Sequence, residues 1–217
     1  MKFDIKVLIF DLDGTLADTI PAITEAVNMT LAELDFPPRT ELEIKSFIGR
    51  GPRHLIAKSL PDNADDELID KALRLYDLMY AQTYLHTNCL YDGIEDAITV
   101  LSKRYKIAVL SNKQDQYVKA LINQLLPKDI CEIALGSING IPAKPTPTLA
   151  LKLADSLGVT PNECALIGDS EIDILTAQNA GFDILSVSWG YADKKLLIDS
   201  GAIDIIDSPI ELIEHFN

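Results

Sequence analysis

The sequence feature that most constrains the fold is an apolar segment near the N-terminus that ends abruptly in acidic and turn-forming residues. It runs Ile5-Lys6-Val7-Leu8-Ile9-Phe10 and continues as Asp11-Leu12-Asp13-Gly14-Thr15. A short apolar run bounded by turn residues is typical of a fully buried strand. Because side chains alternate along an extended backbone, we expect Asp11 and Asp13 to point the same way.

Two neighbouring carboxylates repel each other unless a cation lies between them or one of them holds a proton. The pair therefore predicts a metal site, acid–base chemistry, or both. A plain turn is the alternative interpretation, because Asp and Gly favour turns for backbone reasons. A calcium-binding EF-hand loop does not fit, because that loop needs glycine at its sixth position, whereas Gly14 is the fourth residue counted from Asp11.

Length and composition indicate an ordinary globular protein. A chain of 217 residues suits one large domain, or a core domain with a smaller insertion. With 47% hydrophobic and 24% charged residues, the composition is not that of a disordered chain. The net charge of -14 argues against a nucleic acid partner, because Lys and Arg supply that affinity. A small phosphorylated ligand stays compatible, since one local cation can outweigh a distant field.

Cysteine usage and hydropathy predict the cellular setting. Cys89, Cys131 and Cys164 are odd in number and lack metal-type spacing, so we expect reduced thiols. The N-terminal apolar run is too short for a usual signal peptide, and no segment approaches the roughly 18 apolar residues of a membrane span. We therefore expect a soluble, cytoplasmic protein without a membrane partner. The sequence leaves the oligomeric state open.

The residues after Thr15 read as helical. Helical periodicity or capping signals favour helices over residues 19–34, 40–47 and 63–85, and Thr40 with Glu43 forms a capping box. No strand signal appears between Leu16 and about Leu90. We therefore predict a helical cap inserted at residues 16–90, with the core formed by residues 1–15 and 91–217.

Strands and helices alternate in the rest of the chain. Strands are predicted at 107–110, 130–135, 165–167, 184–187 and 203–206. Helices are predicted at 94–103, 115–126, 147–157 with Thr146 as N-cap, and 171–181 with Ser170 as N-cap. This alternation predicts an α/β fold with a doubly wound, parallel, Rossmann-like sheet.

Polar residues follow three of these strands. They are Asp11 and Asp13, then Ser111 and Asn112, then Asp169, and Lys144 precedes a helix that starts near the same edge. Ligands of open parallel sheets bind at the carboxyl ends of the strands, so these side chains are expected to converge. Three carboxylates, a hydroxyl and a lysine suit phosphoryl transfer to a carboxylate with a divalent metal.

Each of these residues also has a purely structural interpretation. Ser111 and Asn112 could form only a strand-to-helix turn, and Lys144 could be a solvated lysine. Asp173 stands three residues after Ser170, the position of a capping-box acid, and Asp169 could cap a helix as well. The joint placement favours the catalytic interpretation.

Four sequence blocks together resemble one family. They are Asp11-Leu-Asp13-Gly-Thr15-Leu-Ala-Asp18, then Ser111-Asn-Lys113, then Lys144-Pro145, then Gly168-Asp169-Ser170-Glu-Ile-Asp173. In order and spacing they resemble the haloacid dehalogenase-like hydrolase superfamily. The helical insertion resembles that family's C1-type cap, and the chain looks most similar to phosphoglycolate phosphatase-like members. One departure is Leu90-Tyr91-Asp92-Gly93, where many relatives carry a proline before the glycine.

The resemblance implies a role for each residue. Asp11 would attack phosphorus and form an aspartyl-phosphate, and Asp13 would carry the proton. Asp11, the Asp13 carbonyl and Asp169 would hold Mg²⁺, supported by Thr15 and Asp173. The phosphoryl oxygens would be bound by three residues: Ser111, Asn112 and Lys144. The dehalogenase branch lacks an acid at the Asp13 position, so Asp13 favours phosphate chemistry.

The substrate expected from the resemblance is a small phosphorylated metabolite. Arg50, Arg53 and His54 lie in the cap turn that faces the active site in similar proteins, where they could bind a substrate carboxylate such as that of phosphoglycolate. A solvated basic turn is the alternative. Mutase activity like that of β-phosphoglucomutase, or pyrophosphatase or nucleotidase activity, uses the same core. A passive phospho-receiver or binding protein is the hypothesis from another class.

Overall fold

The computed structural model describes residues 4–86 and 88–216. Its strands are β1 Val7–Phe10, β2 Ala17–Asp18, β3 Cys89–Leu90, β4 Lys106–Gln114, β5 Cys131–Ser137, β6 Cys164–Gly168, β7 Asp183–Val187 and β8 Ile205–Ile206. Its helices are α1 Ile20–Ala32, α2 Glu41–Phe47, α3 Pro52–Ser59, α4 Asp66–Thr83, α5 Ile94–Leu101, α6 Asp115–Leu125, α7 Thr148–Ser156, α8 Glu171–Ala180, α9 Lys194–Asp199 and α10 Ile210–Phe216. Residues Pro161–Glu163 form a short 3₁₀ turn.

Six strands form one parallel sheet in the order β5-β4-β1-β6-β7-β8. The predicted doubly wound α/β fold is thereby confirmed. Every residue of β1 is buried, as its unbroken apolar sequence predicts for a strand covered on both faces. Because β4 and β6 pair directly with β1, the carboxyl ends of these three strands lie side by side.

The core on one face of the sheet forms from alternate strand residues. Val7 and Ile9 of β1 pack with Leu149 and Leu153 of α7 and with Ala177 of α8. The intervening β1 residues are equally buried and point to the opposite face. Burial of this kind is worth roughly 25 cal/mol per Å² of apolar surface, and it fixes the sheet on which the polar strand ends stand.

The chain divides into two compact units: residues 1–17 with 90–217, and residues 18–89. In the second unit, here called the helical unit, α1 packs against α4, and Thr40 caps α2 with the predicted Glu43 capping box. The prediction that these units are an inserted cap and a catalytic core stays a prediction. The short strands β2 and β3 pair with each other; they were not predicted, because two-residue strands leave no periodicity to detect.

Several boundaries differ from the sequence prediction by one or more residues, and three of these differences have a specific structural cause. Strand β4 continues to Gln114 instead of ending at Leu110, because after a register shift Gln114 pairs with Ser137 of β5. Helix α7 has Pro147 as N-cap, not Thr146, whose N–H instead closes a turn on the Ala143 carbonyl.

The third difference is the start of α4. The prediction began at Asn63, but the N-cap is Asp65, which accepts from the Leu68 N–H at 2.9 Å. In the described residues, none of the helices is both long and apolar enough to cross a membrane.

Candidate active site

The predicted residues gather at the carboxyl edge of the three central strands. Asp11 follows β1, and Asp13 lies two residues further on. Ser111 and Asn112 belong to the final part of β4, and Asp169 follows β6. This convergence arises because parallel neighbours end at the same edge of a sheet.

Lys144 lies between two carboxylates. Its Nζ is 3.0 Å from Asp11 Oδ1 and 2.7 Å from Asp173 Oδ1, and its side chain is 3% exposed. Burial opposes the charged form of Lys144, but Asp11 and Asp173 raise its pKa overall. Lys144 is therefore a fixed positive charge inside the site, so its interpretation as a solvated surface lysine is wrong.

The Asp11 carboxylate is held through one oxygen. Oδ1 accepts from the Leu12 N–H at 2.7 Å and pairs with Lys144. In the described part of the chain, these are the contacts of that carboxylate, so Oδ2 keeps its lone pairs available. A carboxylate clamped at one oxygen and open at the other is suited to act as a nucleophile.

Asp169 is fixed by residues from two loops. Its Oδ1 accepts from Thr15 Oγ1 at 2.9 Å, and its Oδ2 accepts from the Tyr191 N–H at 2.7 Å. Each of the two loops needs a glycine where it contacts Asp169. A Cβ on Gly14 would come 2.4 Å from Asp169 Oδ2, and a Cβ on Gly190 would come 2.3 Å from Asp169 Cβ. The loops thus close directly onto this carboxylate.

Asp173 serves two groups at once. Its Oδ1 pairs with Lys144, while Oδ2 accepts from Ser170 Oγ at 2.6 Å and from the Ser170 N–H at 3.2 Å. The capping box predicted for α8 is therefore present. Asp173 caps the helix and also positions Lys144, and a side chain on Gly168 would collide with it.

The acids of the site outnumber its cations. Burial, followed by the charges of neighbouring aspartates, raises the pKa of Asp11 to about 8 against the opposing charge of Lys144. Burial, followed by the charge of Asp173, raises the pKa of Asp169 to about 7, although hydrogen bonds from Tyr191 and Thr15 oppose the shift. Burial together with the neighbouring acids thus disfavours the charged form of both carboxyl groups.

The donor set fits a divalent cation. Asp11, Asp169 and Asp173 each present a carboxylate oxygen, and these oxygens lie within 4.8 Å of one another. A hard cation such as Mg²⁺ binds oxygen ligands, and its charge would stabilise the ionised carboxylates that burial and mutual repulsion disfavour.

Asp13 forms an ion pair with a residue from β4. Lys113 Nζ lies 2.7 Å from Asp13 Oδ1, with side-chain exposures of 7% and 11%. The N–H of Lys113 also donates to Ser111 Oγ at 3.2 Å. The two acids of the opening motif thus pair with different lysines, Asp13 with Lys113 and Asp11 with Lys144.

Ser111 and Asn112 have different surroundings. Asn112 donates through Nδ2 to the Lys144 carbonyl at 2.9 Å and accepts from the Lys144 N–H at 2.8 Å. The structure therefore gives the Asn112 side chain a role in positioning the Lys144 main chain. The Ser111 side chain is buried beside the strand end, and neither residue forms the simple turn that was the alternative.

With this geometry established, comparison with known proteins identifies the family. The family model for haloacid dehalogenase-like hydrolases matches residues 8–187. The chain belongs to this family. It is 31% identical to a phosphoglycolate phosphatase of Nitrosococcus oceani, over 95% of this chain and 94% of that protein. It is 32% identical to the phosphoglycolate phosphatase of Rhodospirillum rubrum, over 93% of this chain and 87% of that protein.

Solved structures agree with this assignment. A crystal structure from Lactobacillus delbrueckii subsp. bulgaricus, described as a candidate phosphoglycolate phosphatase, superposes with a TM-score of 0.89 at 31% identity. The alignment covers 99% of this chain and 98% of that one. The haloacid dehalogenase-like chain is thus an enzyme, a phosphoric monoester hydrolase, and the passive receiver hypothesis is set aside.

The predicted specificity residues lie in the helical unit of this haloacid dehalogenase-like chain. The Arg53 guanidinium pairs with Asp66 at 2.6 Å and also with Asp70, so two carboxylates of the same unit partly neutralise its charge. Burial lowers the pKa of His54, and the charges of Arg50 and Lys58 lower it further. A role for Arg50, Arg53 and His54 in substrate binding stays a prediction.

The sequence reasoning missed four residues of the site. Lys113 was noted only as part of a motif, and the loop Trp189-Gly190-Tyr191 was not singled out. Trp189 Nε1 donates to the Thr15 carbonyl at 3.0 Å, which ties this loop to the opening motif of the haloacid dehalogenase-like fold. A glycine between two aromatic residues, one residue after the apolar end of β7, is the signal that could have drawn attention to the loop.

Proposed function

We propose that the chain is a Mg²⁺-dependent phosphatase that hydrolyses 2-phosphoglycolate or a closely similar small phosphate monoester through an aspartyl-phosphate on Asp11. The observation that carries this proposal is the Asp11 carboxylate, clamped by Lys144 at Oδ1 and open at Oδ2. The substrate is supported by two relatives named phosphoglycolate phosphatase, aligned over more than 90% of this chain.

In the first step, Asp11 Oδ2 attacks phosphorus, and the bond from phosphorus to the ester oxygen breaks. Asp13 donates a proton to that leaving oxygen, which departs as an alcohol. In the second step, Asp13 takes a proton from water as the water oxygen attacks the aspartyl-phosphate. The second step releases inorganic phosphate and restores both carboxyl groups to their starting states.

The other side chains hold charge and position. Lys144 and the Ser111 hydroxyl would bind the phosphoryl oxygens, and Asn112 would keep Lys144 in place through its main chain. Thr15 and Tyr191 would fix Asp169. Because these groups are preorganised by contacts already present, little rearrangement would be needed as charge develops.

The residues that would hold Mg²⁺ are Asp11, the main-chain carbonyl of Asp13, and Asp169. When bound, the metal would supply positive charge at the phosphoryl oxygens and reduce repulsion between the incoming phosphate and the carboxylates. Asp173 supports this set from its position between Ser170 and Lys144.

Asp11→Asn should abolish turnover, by at least roughly 10³-fold, because a neutral amide cannot form the acyl phosphate. The measurement is Mg²⁺-dependent phosphate release from a panel of small esters that includes 2-phosphoglycolate. Asp155→Asn, an exposed change on α7, is the control and should retain activity. Residual activity of Asp11→Asn in a clean preparation would exclude Asp11 as nucleophile.

The same panel separates the alternatives. A mutase would depend on a bisphosphate sugar and keep a stable phosphoenzyme, whereas the proposed phosphatase turns over with 2-phosphoglycolate alone. Preferential release from pyrophosphate or from nucleotides would instead favour pyrophosphatase or nucleotidase activity.

A further inference from the structure

The ion pair between Lys113 and Asp13 has no role in the function proposed above. Lys113 Nζ lies 2.7 Å from Asp13 Oδ1, and the Lys113 side chain is only 7% exposed. Lysine is seldom buried to this degree without a compensating anion. Lys113 is the second-last residue of β4, and its main-chain N–H donates to Ser111 Oγ. This position holds a positive charge beside Asp13.

The position of the leaving group follows from the role of Asp13. If Asp13 protonates the leaving oxygen, that oxygen must come within about 3 Å of the Asp13 carboxylate. Lys113 contacts the same carboxylate. When the leaving oxygen approaches Asp13 Oδ1, the oxygen that Lys113 contacts, the ammonium is at most about 6 Å from it, the span of two successive hydrogen bonds.

A carboxylate one carbon beyond the leaving oxygen has the reach to meet this ammonium. In a 2-phosphoryloxy carboxylate, the carboxylate oxygens lie about 3 Å from the ester oxygen, a distance set by a few covalent bonds. An ammonium has three N–H donors, so Lys113 can bind a substrate carboxylate and keep its bond to Asp13.

We propose that Lys113 is a specificity-determining residue that binds the carboxylate of the leaving group while holding Asp13 in place. The inference rests on the proposed function. It assigns the substrate class as phosphate monoesters of short 2-hydroxy carboxylates, and it places the recognition of the leaving group's charge in the same unit as Asp11 and Asp13.

The experiment compares two esters that differ in one group. In 2-phosphoglycolate the carbon next to the ester CH₂ is a carboxylate, and in 2-hydroxyethyl phosphate it is a neutral CH₂OH. Lys113→Gln removes the charge but retains an N–H donor for Asp13. Loss of one charge-assisted hydrogen bond should lower kcat/KM for 2-phosphoglycolate by about 10- to 100-fold, mainly through KM. For 2-hydroxyethyl phosphate, the fall should be less than about 3-fold.

Lys113→Arg and Lys113→Met complete the series. Lys113→Arg retains the charge and should restore part of the preference for the anionic ester. Lys113→Met removes both charge and donor, so it should lower kcat for both esters as well. Lys119→Gln, on α6 with an exposed ion pair to Asp115, is the matched control and should leave the ratio of the two esters unchanged.

Equal losses on both esters with Lys113→Gln would overturn the inference, because Lys113 would then act only through the position of Asp13; the proposed function would stand. If the unmodified protein releases phosphate from neither ester while Mg²⁺ is present, the proposed function fails and the inference fails with it. Should Lys113→Gln fold poorly by circular dichroism, competitive inhibition by glycolate decides: much weaker inhibition of the Lys113→Met protein than of the Lys113→Arg and unmodified proteins supports the inference, and equal inhibition of all three overturns it.

Discussion

At the scale of single residues, two buried carboxyl groups link stability to pH. The pKa of Asp11 is raised to about 8 and that of Asp169 to about 7, both primarily by burial, from an ordinary value of 3.8. The folded protein therefore retains protons that the unfolded chain has already released between about pH 4 and pH 8. Without metal, the free energy of unfolding should fall as the pH rises through this window.

Because the charged form of Asp169 destabilises the folded protein, one substitution there should have opposite effects on stability and on activity. In a chelating buffer at pH 8, Asp169→Asn should raise the melting temperature, because it removes a charge whose burial destabilises the folded state. A gain of 1 kcal/mol corresponds to roughly 2–4 °C for a chain of this size. The oxygen of the new side-chain amide can still accept from the Tyr191 N–H. Its NH₂ group can donate to the Thr15 hydroxyl, which rotates to accept. Phosphate release, measured with Mg²⁺ present, should be lost in the same variant.

Thermal melts at pH 5.5 and pH 8.5, with and without Mg²⁺, test this expectation. Mg²⁺ should stabilise the unmodified protein and leave Asp169→Asn nearly unchanged, since the metal binds the charged carboxylate. Asp155→Asn, an exposed change, should shift the melting temperature little at either pH. A metal-free protein whose stability rises between pH 5.5 and pH 8.5 would contradict the raised pKa values.

At the scale of elements, the loop after β7 closes onto the site. Gly190→Ala would place a Cβ 2.3 Å from Asp169 Cβ and 2.4 Å from the Gly14 carbonyl oxygen. Since backbone atoms cannot move aside cheaply, we expect Asp169 to shift. The expected result is a loss of Mg²⁺ affinity of about 10-fold or more and a matching fall in kcat/KM at fixed Mg²⁺.

Gly158→Ala is the matched control for Gly190→Ala. Gly158 ends α7 at a φ of +70°, with nothing within 4 Å of an added Cβ. The substitution should cost about 1 kcal/mol of stability through backbone strain alone and leave Mg²⁺ affinity intact. Titrations of phosphate release against Mg²⁺ compare the two variants. Equal Mg²⁺ affinities would show that the loop does not position Asp169.

Elements governed by local chemistry could be predicted from the sequence. Strand β1 was predicted from its unbroken apolar residues, and α2 and α8 from their capping boxes at Thr40 and Ser170. Gly181 ends α8 with a φ of +73°, as a glycine after a helix predicts. These signals lie within a few residues of the structure they specify, so one sequence suffices to detect them.

Contacts between distant residues could not be predicted in this way. Lys113 pairs with Asp13 across 100 positions, and Trp189 reaches Thr15 across 174. The extension of β4 beyond Leu110 depends on pairing with β5, and no local pattern reports that pairing. The convergence of strand ends was predictable because topology dictates it, whereas the individual partners within that edge were not.

At the scale of the whole molecule, the chain divides into two compact units. The helical unit is bounded by Ala17 and Leu90, and the Tyr91 N–H donates to the Leu16 carbonyl at 3.1 Å, so the two ends of the other unit meet. Replacing residues 18–89 with a short Gly-Ser linker should therefore leave a cooperatively folding α/β unit.

The shortened protein should still bind Mg²⁺, because Asp11, Asp13 and Asp169 all belong to the remaining unit. Mg²⁺ at ten times its dissociation constant should add about 1.4 kcal/mol to the free energy of unfolding. Circular dichroism melts with and without Mg²⁺ measure this shift, and the shortened protein with Asp169→Asn should show none. A shortened chain without a cooperative transition would mean that both units are needed for folding.

Trp189 is the single tryptophan of the chain, and its indole is hydrogen-bonded to the carbonyl of Thr15, four residues after Asp11. When the protein is excited at the red edge of the tryptophan absorption band, its ultraviolet emission therefore comes from one side chain beside the opening motif. The molecule thus has one intrinsic tryptophan fluorophore there, and we expect Mg²⁺ or phosphate binding to change its emission in unmodified protein, without a coloured substrate.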